Sequence, residues 1–345
     1  MTDASPGRLA DGYDLVIFDL DGVVYLIDQP IAGAPETVGR LHAEGKALAY
    51  ATNNASRRSS EVADLLNGMG VAARPEEVLT SAAASAELLA ERLPAGAPVL
   101  VVGAEALRAE VRAAGLRPVG RADEAPLAVV QGYGPQVGWA DLAEASVAIR
   151  AGALWVATNT DRTLPSGRGP LPGNGSLVAV LRTALERDPD TVVGKPEPAL
   201  FATAAHRVGA RRPLVVGDRL DTDIEGAARA GMDSLLVLTG VSTAADLLTA
   251  GPDRRPTYVA SDLTGLFAPG AAVRVPARDA APATGATGGW RVTDAGAGPA
   301  LTGTGGPLDA LAVLCAAAWS GRSLTGLRPG SDEAGAALRA LGLAG

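Results

Sequence analysis

Asp19 and Asp21 stand two positions apart in DLDGVVY, directly after the apolar run LVIF. Residues i and i+2 of a strand project to the same side, so the two carboxylates are expected to address one ligand. Gly22 lets the backbone turn closely around it. Neighbouring carboxylates repel unless a cation sits between them or one stays protonated. The pair therefore suits either a hard, oxygen-ligated cation such as Mg²⁺ or a division of labour between an acid and a base. An Asp-rich turn after a strand explains the same letters with no chemistry, because Asp and Gly favour turns.

Three further strand ends carry polar residues. In ATNN (51–54), the Thr52 hydroxyl and the amides around Asn53 can hold phosphate oxygens, although Thr and Asn also cap helices. In GKPEP (194–198), Lys195 lies between a short strand and a proline-marked helix start, where it can offset the charge of Asp19 and of an incoming phosphate. A surface lysine is the plainer reading, but Lys46 and Lys195 are the only lysines among 30 Lys and Arg residues. In GDRLDTDI (217–224), Asp218 ends the apolar run PLVV, ready to take a cation, and Asp223 returns from the first helical turn. Either Asp221 or Asp223 could instead cap the following helix. In order, the four strand ends supply two acids, a hydroxyl, a lysine and two more acids. That set serves metal-assisted phosphoryl transfer to a carboxylate.

The elements that must position these residues alternate regularly. Short apolar runs at 13–22, 47–53, 98–103, 127–133, 153–159, 191–194, 213–218 and 234–240 are separated by amphipathic stretches, the first near 33–45 and 57–69. Such alternation predicts an α/β protein with mostly parallel sheet, in which ligands bind beyond the carboxyl ends of the strands. The middle of the chain has enough strand–helix alternation for its own α/β domain over 80–187, leaving 1–79 and 188–267 as the core. From 268 the Ala/Pro/Gly/Thr-rich text reads as a linker, followed by two candidate helices in LDALAVLCAAAW and SDEAGAALRALGL.

Composition removes several classes. A net charge of −8 argues against nucleic acid or an anionic membrane surface as the main partner. One cysteine, Cys315, excludes an intramolecular disulfide, and two histidines, His42 and His206, leave little room for zinc. The first residues, MTDASPGRLADGYD, show no signal pattern. The apolar stretch 310–319 is far short of the ~20 residues that a membrane span needs. A cytoplasmic protein is expected.

The ordered set DLDGVVY, TNN, GKP and GDRLDTD, with the phrases VATNTD and PGNGS, resembles the class IIA, NagD-like phosphatases of the haloacid dehalogenase superfamily over about residues 10–265. The resemblance implies a Rossmann-like core with an inserted α/β cap at 80–187. It implies that Asp19 is the nucleophile that forms an aspartyl-phosphate, and that Asp21 is the acid and then the base. Mg²⁺ would be held by Asp19, the Asp21 carbonyl and Asp218, with Asp223 behind them. Thr52, the Asn53 amide and Lys195 would hold the phosphoryl oxygens.

The cap loop 158–175 has no aromatic or His residue to stack on a base or pyridine ring. Asn159, Asp161, Arg162 and Leu164 suit a small polyol phosphate, although a loop of this kind can also serve only to cover the site. Together with the appendage, the arrangement resembles the actinobacterial glycerol 3-phosphate phosphatases, whose tail is similar to a partial acetyltransferase domain. Here the tail, under 80 residues long, is short for a complete acyl-CoA enzyme, so no acetyl transfer is expected; the tail should pack on the core or carry a homodimer contact. The expected substrate is glycerol 3-phosphate. Nucleotide monophosphates, pyridoxal phosphate or phosphoglycolate are alternatives under the same mechanism, and a non-catalytic regulatory protein on this scaffold is the alternative of another class.

Overall fold

Runs of Val, Leu, Ile and Phe four or five residues long suit strands covered on both faces, the condition of parallel sheet. The computed structural model describes residues 7–164, 168–276, 289–294 and 298–344, and it follows that rule. Its internal contacts form two units, Met1–Leu48 with Ala210–Gly345, and Ala49–Gly209. This division places 49–79 and 188–209 with the segment 80–187, whereas the sequence reading grouped them with the first strand.

In the first unit, Leu15–Phe18 pairs in parallel with Pro213–Gly217, that strand with Asp233–Val237, and that one with Tyr258–Ala260. Leu15, Val16, Ile17 and Phe18 are all fully buried. The register sets Phe18 beside Val216, and the Asp19 N–H donates to Val216 O at 2.9 Å. Both chains thus leave the sheet at the same level, and Asp19 and Asp218 emerge together.

The linker expected from 268 begins later than its composition suggests. Ala272–Arg274 pairs antiparallel with Tyr258–Ala260, because Val273 and Val275 alternate inward and are buried. The rest of that linker, 277–288, lies outside the described residues, as do 1–6 of the N-terminal stretch and 165–167 of the cap loop.

The tail forms both expected helices, Pro307–Trp319 and Asp332–Ala340, and three strands that its composition hid: Arg291–Asp294, Pro299–Thr302 and Arg328–Pro329. The first helix is apolar on two sides. Leu311, Ala312 and Cys315 pack with Leu236, Leu247, Val259 and Val273 of the sheet region. Ala310, Val313 and Leu314 pack with Trp290, Leu301 and Leu338 of the tail. The tail therefore packs, within the first unit, on the sheet region through a shared helix.

In the second unit, five parallel strands run in the order Thr191–Val192, Leu154–Ala157, Ala128–Gln131, Pro98–Val102, Arg117–Val119. Trp155 is fully buried beneath helices Trp139–Arg150 and Asn174–Leu185, among Leu142, Ile149, Val178 and Leu181. Ala47–Thr52 pairs in parallel with Val78–Thr80. Among the described residues, no helix is long and apolar enough to cross a membrane.

Candidate active site

The apolar strand that delivers Asp19 stops at Phe18, earlier than the sequence suggests. Leu20 O accepts the N–H groups of Val23, Val24 and Tyr25 within 3.3 Å, winding the chain into a tight turn. Asp19 and Asp21 are therefore not alternate residues of one strand. Asp19 is 9% exposed, whereas Asp21 faces solvent. Gly22 turns with φ +83°, and a Cβ there would lie 2.5 Å from Asp218 Oδ2.

Asp218 and Asp223 come from the end of the 213–217 strand and the single π-helical turn Leu220–Ile224. Both are fully buried. Asp218 Oδ2 accepts the Val241 N–H at 2.7 Å, and Asp223 Oδ2 accepts the Arg219 N–H at 3.1 Å. Glycine makes this packing possible, since a Cβ on Gly217 would meet Asp223 Cβ at 2.1 Å, and one on Gly240 would meet Asp218 Oδ2 at 2.0 Å. Asp221 turns outward to the Arg219 guanidinium at 3.0 and 3.1 Å. Burial opposes its ionisation, but the Arg219 bonds outweigh that and hold its carboxyl below the usual range.

Carboxylate oxygens of Asp19, Asp218 and Asp223 all lie within 4.8 Å of one another. Three such groups, so little exposed, cannot all stay charged without compensation. An all-oxygen donor set in a pocket walled by glycines fits a hard divalent cation and excludes a soft one.

The second unit gathers a different set. Thr52 ends its strand buried, its Oγ1 accepting the Asn54 N–H at 3.2 Å. Lys195 is 3% exposed, and its Nζ donates to Ala51 O at 3.2 Å. Asn53 grips the Lys195 backbone at both ends. Its Oδ1 accepts the Lys195 N–H at 2.8 Å, and its Nδ2 donates to Lys195 O at 3.0 Å. Thr52, Asn53 and Lys195 are thus brought together.

Two predicted cap residues join them. Asn53 Nδ2 also donates to the Asp161 carboxylate, at 3.1 and 3.3 Å, and Asn159 Nδ2 donates to Asn53 O at 2.7 Å. Arg162 and Leu164 stand apart from this knot. The Arg162 side chain is exposed, its carbonyl accepting from Gly173 N and Ser176 Oγ at 2.8 Å. Leu164 pairs with Leu171 in a two-stranded hairpin.

Sequence reasoning missed two further members. Ser81 Oγ donates to Asn53 O at 2.6 Å. Asn174 Nδ2 donates to Gln131 O at 3.2 Å and Asn159 O at 2.7 Å, stapling the ends of two strands. Asn174 sits inside PGNGS, whose flanking glycines touch backbone; a Cβ on Gly175 would lie 2.1 Å from Thr160 O. The two glycines that flank Asn174 are the only mark of this that the sequence carries, and Ser81 has none.

Residues 16–117 match the haloacid dehalogenase-like hydrolase family and residues 192–266 the HAD-hydrolase-like family; residues 287–343 match a GCN5-related N-acetyltransferase-like domain. The chain is 54% identical over 258 residues to a D-glycerol 3-phosphate phosphatase of Mycobacterium tuberculosis, covering 75% of this chain and 72% of that one. It is 37% identical to an acid sugar phosphatase of Staphylococcus aureus, covering 74% and 97%. A crystal structure of the M. tuberculosis glycerol phosphate phosphatase with magnesium superposes at TM-score 0.88 with 45% identity, covering 98% and 100%. A 4-nitrophenylphosphatase of Thermotoga maritima superposes at 0.70 with 32% identity, covering 75% and 98%.

Proposed function

This chain belongs to the haloacid dehalogenase-like hydrolases and is a phosphatase of that family; we propose that it hydrolyses glycerol 3-phosphate to glycerol and phosphate with Mg²⁺. The observation that carries this reading is the cluster of Asp19, Asp218 and Asp223 within 4.8 Å. The name of the relative at 54% identity supports the choice of ester.

Asp19 Oδ attacks phosphorus, forming an aspartyl-phosphate as the bond from phosphorus to the glycerol oxygen breaks. Asp21 gives its proton to the departing alkoxide. It then takes one from the water that attacks the aspartyl-phosphate, restoring Asp19 and releasing inorganic phosphate. Asp21, exposed at the turn that follows Asp19, is open to the solvent that supplies the attacking water. Thr52, the Asn53 N–H and Lys195 hold the phosphoryl oxygens. Asp19, the Asp21 carbonyl and Asp218 would hold Mg²⁺, with Asp223 behind them; the bound ion supplies positive charge that offsets the phosphoryl oxygens and the aspartates.

Segment 80–187 is assigned to the cap that selects the ester. The acid sugar phosphatase among the relatives favours one second reading, a sugar phosphate. A panel of glycerol 3-phosphate, sugar phosphates, nucleotide monophosphates, pyridoxal phosphate and phosphoglycolate, compared by kcat/KM with Mg²⁺ and with chelator, decides between them. Glycerol 3-phosphate should lead the panel, and chelation should stop turnover. A leading nucleotide or pyridoxal phosphate overturns the substrate, and turnover that survives chelation overturns the mechanism.

A further inference from the structure

The bonds that fasten the 159–161 loop to Asn53 have no part in the chemistry described above. Asn53 spends its whole side chain on two neighbours. Oδ1 accepts the Lys195 N–H at 2.8 Å, and Nδ2 donates to Lys195 O at 3.0 Å and to Asp161 Oδ2 at 3.1 Å. A primary amide presents a donor end and an acceptor end, and turning it over exchanges them. Turned over, Asn53 would set nitrogen against the Lys195 N–H and oxygen against both Lys195 O and the Asp161 carboxylate. An ionised Asp161 only accepts, so it favours a single orientation and strengthens the bond that maintains it. Asn159 holds Asp161 in place from behind, its Oδ1 accepting the Asp161 N–H at 3.1 Å while its Nδ2 reaches Asn53 O at 2.7 Å. Gly194 admits the contact, since a Cβ there would lie 2.6 Å from both Asn53 Oδ1 and Thr158 O.

We propose that Asp161 is a positioning residue: its carboxylate orients the Asn53 amide, which clamps the Lys195 backbone and thereby sets where the lysine ammonium meets phosphate. The inference rests on the assignment of Lys195 to the phosphoryl oxygens. It separates Asp161 from a direct contact with the alcohol part of the ester, because a residue that acts through Lys195 must affect every phosphate ester alike.

The test uses the full chain with Mg²⁺, two esters and one product. Glycerol 3-phosphate carries hydroxyls, 4-nitrophenyl phosphate carries none, and inorganic phosphate reports the phosphoryl pocket as an inhibitor. Asp161→Ala should lower kcat/KM about tenfold on both esters and weaken phosphate inhibition by a similar factor, the scale of one lost charge-assisted hydrogen bond. Asp161→Asn, whose amide oxygen can still accept, should recover activity to within about threefold of the parent. In an Asn53→Ala background, Asp161→Ala should add less than about twofold, since the two residues act in series.

A loss confined to glycerol 3-phosphate, or effects of Asn53→Ala and Asp161→Ala that multiply, overturns the proposal. If Asn53→Ala does not fold, the Asp161→Ala and Asp161→Asn pair on the two esters decides alone. Lys195→Ala separates the layers: unchanged phosphate inhibition there removes the role of Lys195 and this inference with it. Weakened inhibition there, with an ester-selective Asp161→Ala, removes only this inference.

Discussion

The acid cluster of the first unit and the amide knot of the second hold their functional groups by opposite means. Around the acids, backbone lends support: the Val241 N–H on Asp218, the Arg219 N–H on Asp223, and glycines that let carboxylates lie against bare Cα atoms. In the knot the supports are side chains, with Asn53, Asn159, Asn174 and Ser81 each reaching the backbone of a distant loop. Backbone N–H groups bring partial positive charge to a carboxylate without adding a titrating neighbour, which suits groups that must bind a cation or a phosphoryl group. Side-chain amides supply a donor and an acceptor on one rigid plane, which suits joining loops far apart in sequence. One region manages charge and the other manages distance.

The largest contrast should appear in turnover. Asp19→Asn removes the nucleophile and should lower kcat by at least about 10⁴-fold, the scale seen when a catalytic nucleophile is deleted, while a thermal melt stays close to the parent. Against the tenfold loss expected for Asp161→Ala, this separates chemistry from positioning. Retained turnover in Asp19→Asn would dissolve the comparison, because the acid cluster would then not be where the reaction occurs.

Glycine substitutions probe the two supports directly. Gly240→Ala drives a Cβ to 2.0 Å from Asp218 Oδ2, and Gly194→Ala drives one to 2.6 Å from Asn53 Oδ1 and Thr158 O. Each should cost about 1–3 kcal/mol by overpacking, read from denaturant melts. Only Gly240→Ala should raise the Mg²⁺ concentration needed for half-maximal activity. An equal rise in both variants would show that the knot also shapes the cation pocket.

How far each region was legible follows from the same contrast. The acids could be read because an apolar run followed by Asp and Gly is a local pattern. The strand expected to carry Asp19 and Asp21 nevertheless ends at Phe18, and Leu20 O draws three N–H groups into a turn that periodicity does not reveal. The knot was nearly invisible: Asn53 meets Asp161 across 108 positions and Lys195 across 142, and an amide staple leaves no periodic trace. Ser81 and Asn174 look like ordinary polar residues until their burial is known. In the tail, the composition of the Pro307–Trp319 helix gave its type but not its two apolar partners, and Gly/Pro-rich text concealed the alternation of Val273 and Val275.

Charge should separate the regions in stability as well. Asp218→Asn keeps an acceptor for the Val241 N–H but removes one of three crowded carboxylates. Without Mg²⁺ the variant should be more stable than the parent in denaturant melts, by roughly 1–2 kcal/mol, because one of three crowded charges is gone. The parent should gain about 2.7 kcal/mol from Mg²⁺ at a hundred times its Kd, and the variant should lose most of that gain. Asp161→Asn, by contrast, should leave the Mg²⁺-induced shift in Tm unchanged. A variant Asp218→Asn that melts lower without Mg²⁺ would mean that hydrogen bonds, not repulsion, dominate the cluster.

The smallest effect tests whether the acid cluster depends on backbone support alone. Thr239 Oγ1 donates to Gly22 O at 2.6 Å, a side-chain bond to the turn that carries Asp19 and Asp21. Thr239→Val keeps the shape and removes the donor, so it should cost about 1 kcal/mol, read as a modest fall in Tm. If backbone bonds and glycine packing suffice to place the acids, kcat and the Mg²⁺ requirement should stay within about twofold. A loss of kcat as large as that of Asp161→Ala would instead make Thr239 the counterpart of Asn53. Both regions would then rely on a side-chain staple, and the division between them would narrow to the sign of the charge each one holds.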